Sequence, residues 1–253
     1  MPNFSSVPVG VGVPFYSTTD PTVTTSPLLP LGSPAEVRDG RRYRWCLAGL
    51  SNLVAGNTIQ SAAFLIDHTA MAVATPTAAL GGRVGDTYLS VTPGATAGAA
   101  NLYAEGFASI SVTPGLGYTY KINNHAAITA SVAFVLYFDP ADPIQVVLSS
   151  ASKVDLVHHP MKNVVQFPIT TATGNLVGVA PYIISASQNG WLQTWGPCAV
   201  LCKGTPGAGM SVGAPGSVAG GAVIFAAATT ALVGNMMETG VDATSSLVNL
   251  RIS

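Results

Sequence analysis

Short runs of apolar and polar residues in strict alternation, each closed by glycine or proline, recur along most of this chain. A period of two is the mark of half-buried strands. From Arg42, RYRWCL places Tyr43, Trp45 and Leu47 on one face, after a turn at Asp39-Gly40. The clearest hairpin covers 101–123, NLYAEGFASISVTPGLGYTYKIN. Ala108, Ile110 and Val112 share one face, Phe107, Ser109 and Ser111 the other, Pro114-Gly115 turns the chain, and Tyr118, Tyr120 and Ile122 alternate on the return. TYLSVT, ITASVAFVLYFD, IQVVLSS, NVVQF and NLVGVA predict further strands, and the Ala-rich interval 61–80 predicts a short helix limited by Pro76. GWLQTWGPCAVLCKG predicts two strands around a bend at Gly196-Pro197, with Trp191 and Trp195 on a shared face. Short strands with turns at close intervals predict an all-β protein of sandwich or barrel modules.

Residues 1–35 break this pattern, being proline-rich and nearly free of charge. Proline removes backbone donors and restricts its predecessor, so this segment predicts an extended N-terminal arm, a linker or a strap on a neighbouring subunit. The remainder divides into a β-rich domain at 36–155 and a second β-rich module at 156–253. The N-terminus lacks the basic region of a secretory signal, and the uncharged run 204–237 is too interrupted for a membrane helix.

Composition narrows the function classes. Only 8% of residues are charged and the formal net charge is −1, against roughly 25% charged in ordinary domains. The chain lacks the basic stripe that would displace counterions from nucleic acid. Arg38, Arg41, Arg42 and Arg44 form the one basic cluster; it is either a solvated strand edge paired with Glu36 and Asp39 or a dock for an acidic partner surface. Arg41, Arg42, Tyr43, Arg44, Trp45, Trp191 and Trp195 are therefore candidate protein-interface residues.

Reaction chemistry is sparse. Cys46, Cys198 and Cys202 are an odd set without a zinc-site pattern, and on one strand Cys198 and Cys202 would stand about 13 Å apart, too far to bridge. His158 and His159 would face opposite sides of a strand, and His68 and His125 read as satisfied loop histidines. Glu105 has no second carboxylate at a diagnostic spacing, and Asp139 with Asp142 offers too few ligands for calcium. No nucleophile, metalloprotease or phosphate-loop motif occurs in a meaningful context. The expectation is a non-enzyme without cofactor or metal.

The ordered set DGRRYRWCLAG…LVAGNTIQ, NLYAEGFASISVTPGLGYTYKINNHAA, ASKVDLVHHP and VGVAPYIISASQNGWLQTWGPCAVL resembles the capsid decoration, or cement, proteins of tailed bacteriophages, over residues 39–253. This resemblance implies a β-rich homotrimer, made in the host cytoplasm and seated on the outer surface of a virion. There it would bridge capsomers of the major capsid protein, without nucleic-acid or membrane partners. It carries no active-site residue. Two other readings remain open: a head fibre or adhesin that binds a host surface or glycan through exposed aromatic residues, and a β-fold glycan hydrolase built on Glu105 with Asp86 or Asp139.

Overall fold

The computed structural model describes residues 29–169, 171–214, 218–225 and 231–252. Residues 1–28 of the expected arm lie outside the described residues. Among the described residues sixteen strands follow in chain order: β1 (Pro34–Glu36), β2 (Arg42–Leu47), β3 (Thr58–Gln60), β4 (Met71–Val73), β5 (Tyr88–Thr92), β6 (Phe107–Val112), β7 (Thr119–His125), β8 (Phe134–Phe138), β9 (Lys153–Val157), β10 (Val165–Gln166), β11 (Leu176–Val179), β12 (Asn189–Leu201), β13 (Ser211–Ala214), β14 (Val223–Ile224), β15 (Ala231–Met236) and β16 (Ser245–Arg251). The all-β expectation holds. The helix expected within 61–80 is a single 3-10 turn at Ile66–His68 followed by β4, and IQVVLSS forms no strand. In the first case β4 finds partners in β5 and β9, and a pairing ladder overrides the local helix preference of alanine.

The chain forms two compact units, 1–63 with 160–253 and 64–159. A linear division into 36–155 and 156–253 does not describe them. Residues 42–47 pair with β12, far along the sequence, so the stretch before residue 64 belongs with the C-terminal part. The end of the expected arm is likewise built into a sheet, since Pro34–Glu36 pairs with β2.

The 64–159 unit is a closed antiparallel barrel in the order β4-β5-β8-β7-β6-β9. Alternation fills it: Ala108 and Ile110 of β6, Tyr120 and Ile122 of β7, Leu136 of β8 and Leu156 of β9 all point inward and are buried. Val112 departs from the expected face and is exposed, because the pairing with β9 slips between Ile110 and Val112.

The other unit is a ten-stranded sheet running β10-β3-β11-β12-β16-β15-β13-β14, with β2 joined to β12 and β1 to β2. Strand β12 is its spine. The expected bend at Gly196-Pro197 is absent, and the strand continues for 13 residues. Its first part pairs with β2 and its second with β16. Gly196 takes the left-handed φ of +83° that this passage needs. The buried Gln193 side chain donates through Nε2 to the carbonyls of Trp195 (3.1 Å), Gly196 (3.4 Å) and Pro197 (2.8 Å), satisfying acceptors that the irregular ladder leaves over.

Candidate functional site

The β12 irregularity decides which of the candidate interface residues reach solvent. Along β12 and β2 the pairs run Trp191 with Trp45, Gln193 with Tyr43 and Trp195 with Arg42, so β12 carries one extra residue between Gln193 and Trp195. One extra residue reverses the facing of everything beyond it. Trp191 is 3% exposed and Trp195 41%; the two do not share a face. Trp45 and Trp191 pack edge to face with centroids 4.9 Å apart, inside a cluster with Ala35, Val37 and Tyr43. Tyr43, Trp45 and Trp191 are thus core residues of the sheet unit. As interface residues they are corrected: their surface is already used within the chain.

Arg42, Arg44 and Trp195 remain outside and come together. A groove of about 420 Å³ is lined by Pro34, Glu36, Arg42, Arg44, Thr194 and Trp195, among others. The Arg42 guanidinium lies 5.8 Å from the centre of the Trp195 ring and pairs with Glu36 (Nε to Oε2, 3.1 Å). Arg44 donates from Nη1 to the Gly32 carbonyl at 3.0 Å. Arg41 belongs elsewhere. It pairs with Asp39 at 2.8 Å and lines a second groove, of about 550 Å³, with Tyr182, Gln193, Pro197 and Leu247.

All three cysteines are free and buried. Burial pushes the Cys46 and Cys198 thiols from 9.0 up to about 12, the Gly190 backbone and Arg41 respectively offsetting only part of the rise. Such thiols pack as small apolar groups rather than react.

One constellation has no sequence signature. Three of the four histidines, His68 from the 3-10 turn, His125 from the end of β7 and His158 just after β9, surround Tyr103 in the 64–159 unit. His68 Nε2 meets the Thr96 carbonyl at 2.9 Å, which can only accept, so Nδ1 accepts the Tyr103 hydroxyl at 2.6 Å. His125 Nε2 accepts the Tyr103 backbone N–H at 3.0 Å while Nδ1 donates to the Ala126 carbonyl at 2.6 Å. His158 stacks on the phenol ring at 4.5 Å. Burial raises the Tyr103 hydroxyl above its ordinary range. These hydrogen bonds and ring contacts tie Tyr103 and the three histidines into a polar knot in the barrel. Residues 68, 103, 125 and 158 are too far apart in sequence, and too irregularly spaced, for any pattern to join them.

The carboxylates considered for catalysis lock turns. Asp86 accepts the Arg83 N–H (2.9 Å) and Asp139 the Ala141 N–H (3.0 Å), while Asp142, weighed for calcium, accepts the Lys121 N–H of β7 (3.0 Å). Glu105 holds a left-handed φ of +66° in the turn before β6. Among the described residues no group of three or more His, Cys, Asp or Glu could hold a metal ion, and no helix is long and apolar enough to cross a membrane. Comparison of the chain with protein-family models, curated proteins and solved structures finds no match.

Proposed function

We propose that the chain is a non-enzymatic structural protein of a virion, a trimer that decorates and stabilises the capsid of a tailed phage by bridging capsomers. The observation that carries this reading is the character of its surface. Among the described residues 24 large hydrophobic side chains are exposed, more than the 10 basic and 11 acidic residues of the whole chain together. Some are neighbours: Phe107 lies opposite Val157 on β6 and β9, and the Met237 N–H donates to the Leu247 carbonyl. Single exposed apolar residues are ordinary, but clustered ones on a charge-poor surface suit large permanent interfaces. Together with the resemblance in sequence, this favours a shell component over a free enzyme.

The test is a particle assembled without this chain. It should lose resistance to heat and osmotic shock and regain it when the purified protein is added back. A bare particle as resistant as the complete one overturns the reading.

The exposed indole of Trp195 favours a second reading, a host-surface or glycan-binding head fibre. The two separate on one variant. Trp195→Ala should leave particle stability intact and abolish adsorption to host cells if the fibre reading is right.

A further inference from the structure

We infer that the outer face of β1, β2, β12 and β16 is a docking surface for an extended acidic segment of a partner protein, held by Arg42, Arg44 and Arg251 around Trp195. The registers place Glu36, Arg42, Trp195 and Arg251 in one row across four neighbouring strands. Adjacent strands lie about 4.8 Å apart, so Arg42 and Arg251 flank the indole at about 10 Å from each other. Arg44 is two residues along β2 from Arg42, about 6.6 Å at strand rise, on the same exposed face. Five of the ten basic residues, Arg38, Arg41, Arg42, Arg44 and Arg251, fall on these strands or the β1–β2 turn, against Glu36 and Asp39. In a chain of net charge −1 this is a local excess of positive charge.

The occupant follows from what the arginines already do. Arg42 holds a carboxylate, that of Glu36, presented by an extended strand beside it. Arg251 has no acidic partner among the described residues, and Arg44 bonds only a neutral carbonyl there. Guanidinium groups pair with carboxylates through a planar fork. Acidic side chains at alternate positions of an extended peptide repeat at about 6.6–7 Å, the Arg42 to Arg44 spacing. The aliphatic stems of those acidic side chains would pack on Trp195 and Pro34, which line the same groove. At about 420 Å³ the groove takes a few side chains, which fits a segment and not a folded domain.

Other occupants fit less well. The carboxylate of Glu36 within the groove opposes any anionic occupant, and most strongly the dense charge of a phosphate or sulfate polymer. The chain's own residues 1–28 carry a single acid, Asp20, and cannot neutralise the face. Strand addition at β1 is discouraged by Pro34, which lacks an N–H, so the segment lies across the face and does not extend the sheet. The groove's chemistry is the same whether or not the chain decorates a virion.

The experiment uses the purified full chain and a fluorescein-labelled octapeptide alternating glutamate with valine, beside its glutamine twin, read by fluorescence anisotropy. The glutamate peptide should bind at least about tenfold more tightly than the twin, and weaken between about 50 and 300 mM NaCl. Arg44→Ala and Arg251→Ala should each weaken it about three- to tenfold without lowering the melting temperature, since both side chains are exposed. Trp195→Ala should weaken both peptides alike. Equal binding of the two peptides, or indifference to Arg44→Ala and Arg251→Ala, overturns the inference. So does tighter binding of a labelled heparin oligosaccharide or oligothymidylate to the same arginines. Because no particle is involved, a failure here is separate from failure of the capsid reading.

Discussion

Two buried thiols and a buried phenol set how single residues of this protein respond to their surroundings. With Cys46 and Cys198 raised from 9.0 to about 12, the folded state keeps protons that the unfolded chain releases above pH 9. Stability from these groups is fully present below pH 9 and is lost as pH rises toward 12. The double variant Cys46→Ala, Cys198→Ala should therefore show a shallower fall in melting temperature between pH 9 and 11 than the native chain; an unchanged slope would contradict the assignment. In the native protein near pH 8, a thiol-specific reagent should find none of the three cysteines until denaturant is added. In the barrel, Tyr103→Phe deletes the hydroxyl that donates to His68 Nδ1 and leaves that nitrogen unsatisfied in the interior. The expected loss is about 1–3 kcal/mol in urea unfolding, and a variant as stable as the native chain would show the hydroxyl to be dispensable. Alternation in RYRWCL was enough to place Tyr43 and Trp45 on one face, because a regular strand preserves parity, but not to show that this face is buried in the sheet's own core. The knot around Tyr103 was not readable, because only barrel closure brings its four members together.

At the scale of elements, the passage of β12 from one partner to the other determines what the surface offers. Sequence periodicity located both tryptophans of this strand but assumed unbroken parity. The extra residue between Gln193 and Trp195 is invisible to that assumption, since its cause is the pairing with β2. Glycine and proline at 196 and 197 looked like a bend for a related reason: their effect depends on whether neighbouring groups satisfy the local backbone, and here the Gln193 amide does. Gly196→Ala tests this. A Cβ at a φ of +83° is strained and would stand 3.0 Å from Arg41 Cγ. The expected cost is about 1–3 kcal/mol, accompanied by a change in Trp195 fluorescence, because the indole is set by the same irregularity. Unaltered stability and emission would mean that the strand takes the passage without glycine.

For the whole molecule, the division into two units has a consequence for folding. The apolar cluster of the barrel draws all its buried members from Met71 to Leu156, so 64–159 contains its own core. Its first and last strands, β4 and β9, pair with each other, closing the barrel where the segment enters and leaves. The sheet unit is not self-sufficient on either side of this insertion. Cys46, Ala48, Leu53 and Ile59 pack with Met161, Val164, Val177 and Leu192, and Trp45 packs with Trp191. A chain that reads linearly as two successive domains conceals this, because the strand pattern before residue 64 looks like the pattern after it and only long-range pairing tells them apart. Expressed alone, 64–159 should give a dispersed amide NMR spectrum and a single cooperative melt. The fragment 160–253 should not, since β12 would lose its partner β2 and leave Trp191 and Leu192 uncovered. Co-expression with residues 1–63 should restore it. A cooperative fold for 160–253 by itself, or an unfolded 64–159, would show that the units are not built as their cores indicate.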